Sequence, residues 1–419
     1  MRILVVSLNY SPEPTATGKY TGEMAAWLAE KGHEVTAIAA YPHYPQWDVF
    51  PGYKNKGFLV ENLDGVKVNR VPCYIPKLER VTGKTRILME LSFTFLSLFY
   101  WLSIFFSRRR YSVVIAICPP MQTALFSLIY SKLRQVPFVF HVQDFQVDMA
   151  FRLGILKPRL FNRMLYKLES FLIRRASYLS TITRAMCDRA QKKGVDENKL
   201  IFFPNWADID HIKPELRYND FREGLGYDDA DFVVLYSGGM GNKQGLEIII
   251  DVAEKTCHLE NVKYLIVGDG GAKSKLTNLA KERDIINMQF LPLQPFDKLP
   301  SLLALSDINL IVQRAEAADF VMPSKLSNIL SAGRAVIATA GEETGLGSVI
   351  VKNRLGLITS PGDVSALAKA IESLMNDRRA VEAMGLAARA YAEKFLNKET
   401  ILSQFERSLE KISRREHAK

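Results

Sequence analysis

The chain has 419 residues, of which 48% are hydrophobic and 24% charged. This length exceeds what one ordinary core supports, and at about 100 to 200 residues per domain it predicts two domains. The composition excludes long disordered or low-complexity segments. The four cysteines lie far apart without a CxxC pair, which argues against a zinc site or a disulfide framework and favours the reducing cytoplasm.

Positive charge is concentrated in the first half of the chain. Residues 1–200 hold 28 Lys and Arg against 15 Asp and Glu, a net of +13, whereas residues 201–419 hold 27 against 30. Such asymmetry favours an anionic surface as a partner, either a membrane or a nucleic acid. No nucleic-acid-binding motif accompanies the charge, so we expect a membrane and no nucleic acid.

Short β-branched segments alternate with helical patterns, which predicts parallel sheets built from βαβ units. The predicted strands of the first half are Arg2–Ser7, Glu34–Ala39, Ser112–Cys118, Phe138–His141, Leu179–Thr183 and Leu200–Phe203. The helical patterns between them cover Gly18–Lys31, Gln122–Leu133 and Pro158–Ala176. The opening apolar segment predicts a buried strand, because a signal peptide would need a longer apolar region and a cleavage site of small residues.

A second series of the same kind begins at Asp231. Its predicted strands are Phe232–Ser237, Val262–Val267, Met288–Phe290, Ile308–Val312 and Ala335–Thr339, and its helices are Gly245–Lys255, Ala272–Arg283 and Ser324–Ser331. Pro204 and Pro214 mark the hinge between the two series, because proline resists a continuing helix or central strand. Open α/β sheets bind ligands beyond the carboxyl ends of their strands, so two such sheets predict a site in the cleft between domains.

Three glycine-containing segments follow predicted strands. Gly18 begins a helix after the first strand, four glycines surround Lys243 in YSGGMGNKQG, and Gly268 opens VGDGG. Exposed backbone amides and a lysine suit a diphosphate. Ordinary turns with a solvated lysine are the structural alternative.

Two further segments carry reactive or anion-binding side chains. Ser324 and Lys325 follow Pro323 on the first turn of a helix, where they suit a phosphate, although proline at a helix start is structurally ordinary. His141 ends a buried strand, where catalytic groups of α/β proteins lie, although a lone histidine is more often structural. Asp144 is equally suited to be a helix N-cap. Hydrolase, metalloenzyme and dinucleotide-dehydrogenase motifs are missing from the sequence.

Eight segments of the chain, some of them described above, occur together and in order. With them the chain resembles the retaining glycosyltransferases of GT-B family 4. The segments are NYSPEPTATGKYTGEMAAWLAEKGHEV, YPHYPQW, HVQDFQVD, FFPNWADI, YSGGMGNKQGLE, VGDGG, NMQFLPLQPFDKLP and FVMPSKLSNILSAG. Within the family the chain is similar to the fucosyltransferases of colanic acid and exopolysaccharide biosynthesis, and to the related N-acetyl-fucosamine transferases.

The resemblance implies an α/β GT-B fold of two facing Rossmann-like, doubly wound domains with an interdomain cleft. Residues 1–204 would form the acceptor- and membrane-binding domain and residues 205–395 the nucleotide-sugar-binding domain. Residues 396–419 would form a helix that crosses back to the first domain. No metal or other cofactor is expected.

The family's functional residues fall on positions of this chain. The implied catalytic positions are His141, Asp144, Lys243 and Lys325. The implied donor-binding positions are Gly18, Gly239, Lys243, Gly268, Pro292, Leu293, Ser324, Lys325 and Asn328. Asn205 and Trp206 of the hinge segment fall on the acceptor side.

Three positions depart from the family's pattern. Gly239 stands where many relatives carry an arginine before the diphosphate lysine. Phe320 and Asn328 replace two glutamates, the second of which holds the donor ribose, and asparagine keeps hydrogen-bonding capacity without the charge.

The chemistry implied by the resemblance is front-face sugar transfer, in which the leaving diphosphate takes the acceptor's proton and the protein positions substrates and stabilises negative charge. The expected donor is GDP-fucose and the expected acceptor a polyprenyl-diphosphate-linked saccharide. A UDP-linked N-acetylated deoxysugar is the alternative donor. An inactive nucleotide-sugar-binding subunit of a membrane assembly is an alternative of another class, and a sugar-nucleotide epimerase or a phosphorylase would share the twin sheets.

The run Leu91–Phe106 contains 16 uncharged residues and precedes Arg108, Arg109 and Arg110. As a helix it spans roughly 24 Å, short of the ~30 Å hydrocarbon core. We therefore expect it to lie in the plane of the inner leaflet of the cell membrane, as a peripheral anchor of a cytoplasmic protein. The residues expected at the membrane are Phe95, Leu98, Trp101, Leu102, Phe105, Arg108, Arg109 and Arg110. A buried helix of the first domain is the alternative.

Overall fold

The computed structural model describes residues 1–14, 16–145, 160–241, 244–314 and 324–417. The chain divides into two units, Met1–Pro204 with Leu402–Lys419, and Asn205–Ile401. Each unit contains one sheet, and the sheets correspond to the two series of strands predicted from the sequence.

The first unit is built on an eight-stranded sheet of order β3-β4-β2-β1-β5-β6-β7-β8. Its strands are β1 (Arg2–Ser7), β2 (Glu34–Ala40), β3 (Leu59–Leu63), β4 (Val66–Val71), β5 (Val113–Cys118), β6 (Phe138–Val142), β7 (Tyr178–Thr181) and β8 (Leu200–Phe202). All neighbouring pairs are parallel except the β3–β4 hairpin. The six predicted strands are present, with ends shifted by one or two residues at most.

The β3–β4 hairpin was not predicted. Its turn residues Asp64 and Gly65 both have positive φ, 51° and 78°. An Asp-Gly pair in this conformation is a strong hairpin signal, so the sequence contained the information.

Helices cover the first sheet. They are α1 (Ala16–Glu30), α2 (Gly83–Phe106), α3 (Thr123–Arg134), α4 (Leu160–Arg175) and α5 (Arg184–Lys192). Strand β5 is buried along its whole length, and its run VVIAIC is apolar on both faces.

The C-terminal helix, Lys398–His417 (labelled α14 below), contributes its residues from Leu402 onward to the first unit. Phe405 stacks on Phe203 with ring centroids 3.8 Å apart. Glu406 Oε1 lies 2.8 Å from His33 Nε2. These contacts fix the end of the chain against the first sheet's helices and strands.

The second unit is built on a six-stranded parallel sheet of order β11-β10-β9-β12-β13-β14. The strands are β9 (Phe232–Ser237), β10 (Val262–Val267), β11 (Met288–Leu291), β12 (Ile308–Ile311), β13 (Ala335–Thr339) and β14 (Gly356–Thr359). The helices are α6 (Asp220–Gly224), α7 (Glu247–Lys255), α8 (Lys273–Glu282), α9 (Leu299–Ala304), α10 (Ser324–Ser331), α11 (Gly345–Lys352), α12 (Val364–Asn376) and α13 (Arg378–Phe395). Strand β14 was not predicted.

A buried carboxylate holds the amino-terminal edge of the second sheet. Asp307 Oδ2 accepts a hydrogen bond from Val233 N at 2.7 Å, and Oδ1 accepts from Arg217 and Arg378, both at 3.0 Å. Arg222 Nη1 lies 3.7 Å from the same carboxylate. The cluster ties β9 and β12 to the flanking segments at the edge opposite the carboxyl ends of the strands.

Candidate active site

Two glycine loops meet at the carboxyl edge of the second sheet. Gly238 follows β9 and Gly268 follows β10, with φ of 146° and 152°. A Cβ on Gly268 would lie 1.9 Å from the Gly238 oxygen. Glycine is therefore required at position 268 both by conformation and by the close approach of the two backbones.

Lys325 lies beside these loops on the first turn of α10. Its Nζ stands 3.9 Å from the centroid of the Tyr236 ring and would be 3.3 Å from a Cβ on Gly238. The Nζ is buried and has no hydrogen-bond partner among the described residues. Burial lowers the pKa of Lys325 to about 7. A buried ammonium without a carboxylate partner is costly, and an anionic ligand is the group that would satisfy it.

The other donor-side predictions lie around the same edge. The Gly239 oxygen accepts a 2.7 Å hydrogen bond from the Tyr236 hydroxyl, and a Cβ on Gly239 would meet nothing within 4 Å. Asn328 lies one turn after Lys325 on α10, and Pro292 and Leu293 follow β11 in exposed positions. Lys243 and Phe320 lie outside the described residues, as does the side chain of Ser324.

His141 lies at the end of β6 in the first unit and is only 2% exposed. Its Nδ1 is 2.8 Å from Ser180 Oγ, on the neighbouring strand β7. Burial lowers the pKa of His141 to about 3, so the ring is neutral at physiological pH. A neutral imidazole held by Ser180 can donate or accept one further hydrogen bond.

The segment after His141 connects three loops of the first unit. Gln143 N donates to the Cys118 oxygen at 2.9 Å, and Thr17 Oγ1 donates to Gln143 Oε1 at 3.2 Å. The Asp144 oxygen accepts from Cys118 Sγ at 3.8 Å. Asp144 thus stands at the carboxyl edge of β5 and β6, while the residues it was expected to cap, 146–159, lie outside the description.

Glu13 is a buried carboxylate beside Gly18 that the sequence analysis did not single out. Its buried carboxylate accepts hydrogen bonds from the backbone N–H groups of His43 and Tyr44, at 3.0 and 3.1 Å. Burial raises the pKa of Glu13. A Cβ on Gly18 would lie 2.4 Å from Glu13 Oε2, so Gly18 also has a packing reason to be glycine. In the sequence, the signal for this residue was an acidic side chain between two prolines, Pro12 and Pro14.

The two hinge residues differ in burial. Trp206 is 3% exposed, whereas Asn205 is half-buried. Their place on the acceptor side stays a prediction.

Helix α2 has two apolar faces. Its inner face packs into the first core through Met89, Phe93, Tyr100, Trp101 and Ile104. Its outer face exposes large apolar side chains at helical spacing, including Phe95 at 68%, Phe99 at 58% and Phe106 at 84%. The helix is long and apolar enough to cross a membrane, but 39% of its most apolar window is buried in the protein.

These facts correct part of the membrane prediction. Trp101 is 1% exposed and belongs to the core, and Leu98 and Phe105 pack partly against it. The run has no charged residue, and its hydroxyl residues lie on both the inner and the outer face, so the sequence could not separate the two faces. Phe95 and Leu102 remain exposed, and Arg108, Arg109 and Arg110 follow the helix in exposed positions.

Comparisons with known proteins agree with this architecture. Residues 15–206 match the glycosyl transferase 4-like domain, and residues 218–391 match the glycosyl transferases group 1. The chain is 37% identical over 413 residues to WcaI of Escherichia coli strain K12, whose name assigns it to colanic acid biosynthesis, covering 97% of this chain and 98% of that one.

Solved structures share the fold. The sucrose-phosphate synthase of Thermosynechococcus elongatus superposes with a TM-score of 0.75 at 15% identity, covering 98% of each chain. The Anabaena protein HepE, in complex with UDP, superposes with a TM-score of 0.71 at 18% identity, covering 98% of this chain and all of that one.

The two α/β units with their parallel sheets define a GT-B protein. The chain belongs to the glycosyltransferase family whose 4-like and group 1 domains it carries, and it is a glycosyltransferase.

Proposed function

We propose that this glycosyltransferase transfers fucose from GDP-fucose, with retention, to a polyprenyl-diphosphate-linked saccharide in the biosynthesis of a colanic-acid-like polysaccharide. The observation that carries the donor class is Lys325, a buried ammonium with no hydrogen-bond partner among the described residues, beside two glycine loops. A nucleoside diphosphate supplies the negative charge that this position lacks.

The residues of the chain stabilise the transfer by position and charge. When the sugar leaves, negative charge grows on the diphosphate, and the buried ammonium of Lys325 is proposed to donate a hydrogen bond to it. Lys243 is proposed as a second donor to the same group. Neutral His141, held by Ser180, is proposed to accept or donate one hydrogen bond to a sugar hydroxyl and so to position it.

The acceptor and the membrane form the second part of the proposal. The outer face of α2 exposes apolar side chains every three or four residues, from Leu88 and Leu91 through Phe95 to Phe106. An apolar surface of this kind, followed by three arginines, suits the interface of an anionic bilayer on the cytoplasmic side. A lipid-linked acceptor resides in that bilayer, which gives the enzyme a reason to bind there.

Donor identity is tested by transfer from radiolabelled GDP-fucose and UDP-N-acetylfucosamine to lipid extracts of polysaccharide-producing membranes. We expect label from GDP-fucose in the lipid fraction. Transfer from the UDP-sugar alone would refute GDP-fucose as the donor. Binding of either nucleotide without transfer from any donor would favour the inactive-subunit alternative. A thermal shift with GDP and UDP separates binding from turnover.

Membrane binding is tested by sedimentation with vesicles containing anionic lipid. The variant Phe95→Ser/Phe99→Ser/Leu102→Ser/Phe106→Ser changes only exposed side chains of α2, so we expect an unchanged fold and a loss of binding of at least about tenfold. The matched control is Ile286→Ser/Leu386→Ser, two exposed apolar residues of the second unit. Equal sedimentation of the two variants would remove the membrane role.

A further inference from the structure

A polar cluster at the start of α2 is not explained by the donor site or by the membrane face. It combines Trp47 from the loop after β2, Arg86 and Glu90 from α2, and Gln122 from the loop after β5. All four lie in the first unit at the carboxyl edge of its sheet, where α/β proteins bind ligands.

Gln122 and Glu90 form the inner part of the cluster. Gln122 Nε2 donates to Glu90 Oε2 at 3.3 Å, while Gln122 Oε1 is buried and has no partner among the described residues. Burial raises the pKa of Glu90, with Arg86 and Gln122 opposing the shift. A buried carbonyl oxygen without a donor is rare in folded proteins, and a ligand hydroxyl would satisfy it.

Trp47 and Arg86 form the outer part. The Arg86 guanidinium carbon stands 5.8 Å from the Trp47 ring centroid, and the Tyr44 and His43 rings lie at 6.1 and 6.0 Å from the same ring. Trp47 has a φ of 57°, a conformation that a bulky residue adopts only when its surroundings hold it. The neighbouring backbone is held by the Glu13 carboxylate, through His43 and Tyr44.

The chemistry of these groups matches a saccharide that carries a phosphate group. A carboxyl and a carboxamide pair with hydroxyl groups, an indole face packs against the C–H surface of a sugar, and an exposed guanidinium pairs with phosphate. Lys84 adds a second exposed cation on the first turn of the same helix, whose amino-terminal dipole also favours an anion. The apolar outer face of α2 then continues away from this polar end.

We propose that Trp47, Arg86, Glu90 and Gln122 form the binding site for the saccharide head of the acceptor, with Gln122 and Glu90 bonding its hydroxyls and Arg86 facing its diphosphate. The assignment rests on the proposed transfer to a lipid-linked saccharide. Its residues are other than Asn205 and Trp206 of the hinge, which the resemblance implied on the acceptor side.

Intrinsic fluorescence of the full chain tests the site directly. Trp47 is half-buried, whereas Trp27, Trp101 and Trp206 are buried. A ligand bound at the surface beside Trp47 should therefore change mainly the emission of Trp47. The probes are farnesyl diphosphate carrying one glucose, and farnesyl diphosphate alone. We expect the glucose-bearing probe to change the emission and to bind at least about tenfold more tightly, and Trp47→Phe to remove the signal.

Variants of the polar groups complete the test. Gln122→Leu and Glu90→Ala should each weaken the glucose-bearing probe about tenfold, measured by calorimetry, and bring its affinity close to that of farnesyl diphosphate. Arg86→Gln, at an exposed position, should weaken both probes alike. The matched control is Gln404→Leu, an exposed glutamine of the same unit, which should leave both affinities unchanged.

The outcomes separate this site from the proposed function. Affinities of the Gln122 and Arg86 variants within twofold of wild type, or no preference of wild type for the glucose-bearing probe, overturn the site. GDP-fucose turnover in a protein that ignores both probes would refute the site and leave the transferase proposal standing. Probe binding that depends on the cluster, without turnover of any nucleotide sugar, would support the site and refute the proposed transfer.

Discussion

Donor binding should take up a proton at Lys325. Burial holds the pKa of this lysine at about 7, so at about pH 8 roughly nine in ten molecules carry a neutral amine. A diphosphate beside Nζ would favour the ammonium and move the pKa back towards its ordinary value near 10.5. Binding at that pH should therefore take up about half to one proton, and affinity should fall by up to about tenfold per pH unit above it.

Calorimetry in two buffers of different ionisation enthalpy measures that uptake. The ligand should be a nucleoside-diphosphate sugar, whose phosphates do not titrate near neutrality. Lys325→Met should abolish the uptake and weaken binding, whereas the exposed Lys255→Met should change neither. Zero uptake in the wild-type protein, or full uptake in Lys325→Met, would show that the diphosphate binds elsewhere.

Three further predictions concern the described residues. His141→Ala should lower kcat strongly, and His141→Gln less, because the histidine is neutral and its hydrogen bond is what matters; equal losses would contradict this. Since its folded pKa of about 3 lies below the unfolded value, His141 should also reduce stability by about 1.4 kcal/mol per pH unit as pH falls from about 6.5 towards 3, and urea titrations of His141→Phe should lack that component. Asp307→Asn should cost about 3 to 5 kcal/mol of unfolding free energy, since it removes the buried negative charge that faces the guanidinium groups of Arg217, Arg222 and Arg378, whereas Asp251→Asn at a surface ion pair should cost less than about 1. Gly268→Ala should cost more than about 2 kcal/mol and Gly239→Ala much less, because only the first Cβ collides with backbone; similar melting temperatures would refute that contrast.

The sequence by itself determined the architecture. Strands such as β1, β5, β9 and β10 are short apolar runs between turn residues, and that pattern has few structural alternatives. The sequence also showed the glycines after β9 and β10 and the lysine at the start of α10. A glycine directly after a strand is a recognisable pattern, because it lets a phosphate come close to the backbone N–H groups. The β3–β4 hairpin was visible in Asp64 and Gly65 and was overlooked.

The tertiary structure alone decided which of these residues are chemically unusual. Lys325 and His141 have shifted pKa values because of burial, and burial depends on segments far away in the chain. Gln122 reaches Glu90 across 32 residues, and Glu13 reaches His43 across 30. The inner and outer faces of α2 differ only in what packs against them, since both are apolar. A local pattern reports period and propensity, whereas desolvation and unpaired polar groups arise only when distant segments are brought together.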